Sequence, residues 1–230
     1  MNLKEKKFIA TVRQYYSEHG RHSLSWRKTR NPYRILVSEI MLQQTQVERV
    51  IPKYKAFLKL FPTVQALAQA SLGDVLVAWQ GLGYNRRAKL LHQCAQVVVT
   101  ELGGTWPRTH GELVALPGVG PYTASAVLAF AFNTPTPLIE TNVRTVYLHH
   151  FFADETDVPD SALLPIITRT LDTENPRGWY AALMDYGSYL KSTVGNKSRA
   201  SKHYVPQSTF AGSNRQIRGA IIRTLGRSEE

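Results

Sequence analysis

Cysteine is almost missing from this chain: Cys94 is the only one in 230 residues. A single thiol excludes an intrachain disulfide and any site built from four cysteines of one chain. Cys94 falls in Leu90-Leu91-His92-Gln93-Cys94-Ala95, a helical pattern in which it reads as a small buried hydrophobe. Long apolar runs are missing too. No stretch reaches the roughly 18 apolar residues that a membrane-spanning helix needs. The N-terminus, Met1-Asn2-Leu3-Lys4-Glu5-Lys6-Lys7, has neither the apolar core nor the cleavage site of a signal peptide. A cytoplasmic location without membrane association is therefore expected. Nowhere does the sequence alternate apolar and polar residues as a half-buried strand does. Chelating patterns are lacking as well. There is no HExxH, and adjacent His149 and His150 on a helix point apart, so no catalytic metal is expected. Acidic residues are scarce: 17 Asp and Glu stand against 28 Lys and Arg, a net charge of +11 with a pI near 9.8. That balance favours a polyanionic partner, either nucleic acid or an anionic surface.

What is present is helical periodicity, with enough apolar residues (43%) for a real core. The spacing predicts helices over 4–19, 33–47, 64–70, 72–79, 86–102, 110–116, 121–132, 141–152, 161–171 and 176–190. Residues 22–32 are polar and proline-bearing and read as a loop. Pro52 starts or kinks the segment through Phe57, Leu58 and Leu60. Thr63 and Ser71 are suited to cap the helices that follow them. Gly103-Gly104 ends the long helix from 86. The fold class is all-α. After Leu190 the composition shifts: residues 191–230 hold eight Lys/Arg against two acids, a net +6. This segment is either a basic arm on phosphates, using Lys191, Lys197, Arg199, Lys202, Arg215 and Arg218, or a solvated tail. Gln216 to Leu225 is expected to form a last short helix.

The most informative stretch is Leu116-Pro117-Gly118-Val119-Gly120-Pro121-Tyr122-Thr123. It reads as two helices joined by a tight hairpin. Gly118 and Gly120 are expected to supply backbone angles that other residues reach only with strain. Pro121 suits the first turn of the next helix. The N–H groups of that turn, around Val119, Gly120 and Thr123, form a place for a phosphate with the positive end of the helix dipole behind it. An ordinary corner between helices is the alternative. About 20 residues later, Ile139-Glu140-Thr141-Asn142-Val143-Arg144 puts an acid just after an apolar run.

LPGVGPYTA followed by an acid at this distance resembles the helix-hairpin-helix DNA glycosylases of base-excision repair. Ser38-Glu39-Ile40-Met41-Leu42-Gln43-Gln44-Thr45-Gln46-Val47 is similar to the adenine DNA glycosylase (MutY-like) branch. Trp26-Arg27, Asn31-Pro32-Tyr33, Phe61-Pro62-Thr63 and Gly81-Leu82-Gly83-Tyr84 fall in the order that branch shows, and the resemblance covers roughly residues 24–190. It implies two helical lobes with the active-site cleft between them, a central lobe from about 31–133 and a second from 1–30 plus 134–190. The activity implied is hydrolysis of the N-glycosidic bond of a flipped adenine mispaired with 8-oxoguanine or guanine. The partner implied is double-stranded DNA holding a mismatch or damaged base, bound by a monomer. Relatives carry four cysteines around an iron–sulfur cluster just after the core. Lys191 stands where the first would be, so no cofactor is expected. The sequence also ends before the further domain with which relatives recognise 8-oxoguanine, so that domain is not expected here.

The residues themselves carry parts of that chemistry. On a helix, Glu39 has Ile35, Leu36 and Leu42 as neighbours. Burial there favours a protonated carboxyl, which a general acid requires. The resemblance makes it the acid that protonates adenine N7. The alternative is a glutamate satisfied by backbone at a helix end. Glu140 stands where relatives have Asp, and a carboxylate there stabilises positive charge on the deoxyribose or captures the sugar. Asn142 can orient it, and a helix-start acid is the alternative. Tyr122 stands where strand-cleaving relatives have a lysine. Tyrosine forms no Schiff base, so a monofunctional enzyme is implied, unless Tyr122 merely packs by the hairpin. Gln43, Gln44 and Tyr84 match the residues with which relatives probe the duplex; for Gln43 and Gln44 the alternative is plain surface amides. Arg86, Arg87 and Lys89 are phosphate contacts or a solvated face. A thymine or uracil mismatch glycosylase on the same scaffold, and a lesion-binding protein without activity, are the competing readings.

Overall fold

The Asn2 side chain accepts from the Glu5 backbone while Glu5 reaches back to the Asn2 N–H, a reciprocal box that starts α1 (Leu3–His19). The computed structural model describes residues 1–206 and, beyond them, Gly212, Gln216, Ile217, Ala220, Ile221 and Thr224. After α1 come a 3-10 turn (Ser25–Arg27), α2 (Pro32–Leu42), α3 (Val47–Leu60), α4 (Val64–Gln69), α5 (Leu72–Ala78) and α6 (Arg86–Thr100). Then follow α7 (His110–Val114), α8 (Pro121–Phe132), α9 (Thr141–Phe151), α10 (Asp160–Thr170), α11 (Pro176–Thr193) and a second 3-10 turn (Lys197–Ala200). Among the described residues the one extended pairing is the isolated bridge between Val158 and Ser201, so the chain is all-α as its periodicity implies. Thr63 and Ser71 cap α4 and α5 as their types predict.

The α2 helix differs from expectation. Periodicity extends α2 to residue 47, but it stops at Leu42 because Gln44 turns left-handed at φ +54°. Of the two roles read for Pro52, it does not start a segment: it lies inside α3, in its second turn.

The chain groups into two compact units. One comprises residues 29–124 and the described residues beyond 206. Its core is Leu36, Met41, Phe57, Leu67, Trp79 and Leu113, all essentially without solvent contact. Here α4 packs on α6, where a His92 ring nitrogen meets the Ala70 carbonyl at 3.0 Å. The α2 helix packs on α3 and α6. The other unit comprises residues 1–28 and 125–206, with Tyr147, Leu148, Leu163, Ile167, Trp179 and Tyr180 at its core. There α9 packs on α11, and α1 on α11. The boundary near 124 falls inside α8 rather than at its end near 133.

The segment after residue 190 is not one tail. The α11 helix continues to Thr193, and the turn at Lys197–Ala200 packs against α9 with Ser198 buried. Lys202 N–H donates to the Val158 carbonyl at 3.0 Å and Val158 N–H to Ala200 at 2.9 Å. Packing against α9 and these backbone bonds hold a stretch whose composition alone reads as loop. The expected helix over 216–225 falls mostly outside the described residues, of which Gln216, Ile217, Ala220, Ile221 and Thr224 are helical. Arg215 and Arg218 lie outside them.

Candidate functional site

In the unit built on residues 29–124, α2 carries Glu39 inward, with only 7% of its surface exposed. The helix buries Tyr33 and every residue from Ile35 to Met41, so it is covered nearly all round and the carboxyl at this position is buried with it. The half-buried Tyr122 donates its hydroxyl to Glu39 Oε2 at 2.9 Å. Tyr122 is the second residue of α8, so the hairpin before it sets where that hydroxyl falls.

The hairpin is tight for one glycine and not for the other. Gly118 has φ +76°, and a Cβ there would lie 2.7 Å from Leu90 Cβ on α6. Gly120, expected to need a glycine-only angle, has no positive φ, and a Cβ on it would meet nothing within 4 Å. Its carbonyl accepts from Ala124 N–H at 2.9 Å, which starts α8. Val119 and Thr123 are buried, so what they can offer an outside partner is backbone. Thr123 Oγ1 accepts weakly from Gln43 Nε2 at 3.4 Å.

Gln44 and Arg86 are exposed, while Gln43 and Tyr84 are half-buried. Arg87 corrects the reading from charge. Its guanidinium does not face solvent phosphates but turns inward on six acceptors. Nη1 donates to the carbonyls of Ile40 (2.7 Å), Met41 (3.2 Å) and Gln43 (2.6 Å). Nη2 donates to Thr45 Oγ1 (3.2 Å) and to the carbonyls of Leu82 and Gly83 (3.1 Å each). Burial pushes the group down to about 10, still protonated at neutral pH. The last carbonyls of α2 lack intrahelical donors and sit at the negative end of its dipole, which explains why a cation settles there. Nothing in the sequence pattern separates Arg87 from its neighbours Arg86 and Lys89.

In the unit of residues 1–28 and 125–206, Glu140 is the N-cap of α9. Its Oε1 accepts from the backbone N–H groups of Asn142 (2.6 Å) and Val143 (2.9 Å). Asn142 Nδ2 donates to Oε2 at 3.2 Å. On the far side, Lys191 Nζ donates to Asn142 Oδ1 at 2.7 Å. Glu140, Asn142 and Lys191 thus form one chain of hydrogen bonds with the amide orientation fixed from both ends. Burial pushes the Lys191 amine below its usual value, while the Glu140 charge pulls it up. Lys191, read from composition as a phosphate contact, is half-buried and donates to Asn142. Arg199 and Lys202 are exposed, and Lys197 is half-buried.

Gly187, which sequence reasoning passed over, makes this arrangement possible. A Cβ there would lie 2.5 Å from the Asn142 carbonyl, so its absence lets α11 close on the start of α9. Lys191, one turn later, is then brought beside Asn142. A glycine inside a long helix was the available signal. A second charged cluster was also missed. Asp185 is buried on α11 and pairs with Arg21 and Arg27. Burial works against its charge, but the two arginines hold its carboxyl below the usual range. Arg144 clamps Asp160 with two 2.7 Å bonds, tying α9 to α10.

Among the described residues no group of three or more His, Cys, Asp or Glu is placed to hold a metal ion. No described helix is long and apolar enough to cross a membrane.

Residues 37–163 match the family described as HhH-GPD superfamily base excision DNA repair protein. The adenine DNA glycosylase of Mycolicibacterium smegmatis is 37% identical over 227 residues, covering 90% of this chain and 77% of that protein. The adenine DNA glycosylase of Buchnera aphidicola (subsp. Baizongia pistaciae) is 33% identical over 187 residues, covering 80% of this chain. The chain thus spans about half, 52%, of the Buchnera protein's length. A solved thermostable thymine-DNA glycosylase superposes with a TM-score of 0.74 at 26% identity, over 84% of this chain and 90% of that one.

Proposed function

Because this chain belongs to the HhH-GPD superfamily of base excision DNA repair proteins, we propose that it is a monofunctional DNA N-glycosylase that releases adenine from mispairs with 8-oxoguanine or guanine. The observation that carries the proposal is a buried carboxyl, Glu39, held by the Tyr122 hydroxyl at the foot of the Gly118 hairpin. Adenine is a poor leaving group from deoxyribose, and a proton on N7 improves it. Glu39 supplies that proton as general acid. Bond breaking leaves positive charge on the sugar, which the Glu140 carboxylate stabilises while Asn142 and Lys191 hold it. Water completes hydrolysis to an abasic site. An adenine in a stacked duplex is out of reach, so the base is extruded first, with Gln43, Gln44 and Tyr84 entering the duplex. Gly118, Gly120 and the first turn of α8 take a phosphate.

The donor set does not fit an iron–sulfur cluster. Such a cluster takes four thiolates, whereas the chain has Cys94 alone, in the core of α6 with its thiol pushed up to about 12 by burial. The reaction proposed uses no cofactor.

A second reading, excision of thymine or uracil from mismatches, is favoured by the likeness to the thermostable thymine-DNA glycosylase. The two are separated by incubating the protein with duplexes holding 8-oxoguanine:A, G:A, G:T and G:U and measuring which base is freed. Adenine release alone supports the first reading, and pyrimidine release alone supports the second. Release from none overturns both.

A further inference from the structure

Gln44 and Tyr84 both have left-handed backbone, φ +54° and +48°. A non-glycine residue held there costs on the order of 1–3 kcal/mol unless its surroundings fix it. The carbonyl immediately before each is bonded to the same side chain. Gln43 O accepts from Arg87 Nη1 at 2.6 Å, and Gly83 O from Arg87 Nη2 at 3.1 Å. Trp79 Nε1 adds a second bond to Gly83 O at 3.2 Å. The guanidinium carbon lies 5.5 Å from the centroid of the Trp79 ring and 5.5 Å from that of Tyr84. Among the described residues its buried Nε has no hydrogen-bond partner, a cost accepted for the two forks of the group.

We propose that Arg87 is a positioning residue that locks the Gln43-Gln44 turn and the Gly83-Tyr84 turn together as one duplex-probing surface, and that it contacts no phosphate. The inference rests on the proposed function only in taking those turns to meet DNA. A guanidinium is planar and rigid, so its two Nη groups hold their acceptors at a fixed separation. Moving either turn breaks bonds to the other. The cation also completes the end of α2, the helix that carries Glu39, so acid and probes share one anchor. Lysine has one ammonium on a flexible stem and cannot serve both turns at once.

The test uses the full chain with Arg87→Lys, and with Thr45→Val, which removes one acceptor and leaves the arginine in place. A duplex with 2-aminopurine beside the mispaired adenine reports unstacking by fluorescence. Affinity is measured across a salt series, and circular dichroism checks the fold. Wild type is expected to raise the fluorescence. Arg87→Lys is expected to lose most of that rise and on the order of 100-fold in excision, as a displacement near 1 Å can cause. Its log affinity should fall with log salt at the wild-type slope. Thr45→Val should shift in the same direction by less. In combination with Tyr84→Ala the losses should not multiply, because Arg87 acts through Tyr84. A salt slope lower by about 0.9 would mean a lost phosphate contact and overturn the proposal. So would a full fluorescence rise with a folded Arg87→Lys, or with Thr45→Val if the lysine variant does not fold. No rise with wild type overturns it whatever base the protein excises, whereas a rise without excision would leave this inference standing and sink the glycosylase reading.

Discussion

The Tyr122 hydroxyl donates to Glu39 Oε2 at 2.9 Å, joining the second residue of α8 to the C-terminal half of α2. The bond gives the hairpin a chemical purpose beyond touching DNA, since a shift of α8 moves the partner of the proposed acid. Tyr122→Phe keeps the ring and removes the donor. Single-turnover base release is expected to slow about tenfold, the worth of roughly 1.4 kcal/mol. Unchanged release would show that the hydroxyl only packs.

Glu140 is both cap and proposed charge stabiliser. Glu140→Asp retains an N-cap, and aspartate is the better capping type, so melting temperature should hold or rise. The carboxylate retracts by about one C–C bond, roughly 1.5 Å, and release should slow on the order of 100-fold. Glu140→Gln should be slower still, since the charge is gone. Single-turnover rates together with melting curves separate the two roles. A Gln variant as fast as wild type would leave Glu140 as a cap alone.

The two hairpin glycines should respond differently. At Gly118 an alanine meets Leu90 and an unfavourable φ, so Gly118→Ala should cost about 1–3 kcal/mol of stability. At Gly120 a methyl meets nothing in the protein, so Gly120→Ala should melt like wild type. If a phosphate approaches there, that variant should nonetheless bind duplex DNA more weakly. Equal melting losses in both variants would contradict the assignment.

Much of this was legible in the residues. Thr63, Ser71 and Pro121 mark helix starts because capping is local chemistry. Glu39 stood out because a carboxyl on an apolar helix face is anomalous wherever the helix packs. What failed was the reading of charge. Arg87 and Lys191 look like surface cations in sequence, and only packing of α6 beneath α2, and of α11 at Gly187, turns them inward. The same limit hid Asp185, whose two arginines are more than 150 residues away in the chain.

Asp185 supplies a pH signature. Its folded carboxyl titrates below the unfolded value, so it adds stability above the ordinary carboxylate range near pH 4 and loses it as pH falls through the folded value. Asp185→Asn leaves Arg21 and Arg27 without their anion and should cost about 3–5 kcal/mol at neutral pH. The gap between variant and wild type, followed by denaturant titration, should narrow as pH drops below about 4. A gap that is constant with pH would mean the pair contributes shape and not charge.

The central claim is that Glu39 delivers the proton that frees adenine. The most direct measurement is single-turnover adenine release from an 8-oxoguanine:A duplex by wild type and Glu39→Gln, with duplex affinity measured alongside. Wild type should release adenine, and the variant should be slower by on the order of 100-fold to 10,000-fold with its affinity unchanged. Release by Glu39→Gln at the wild-type rate would contradict the account.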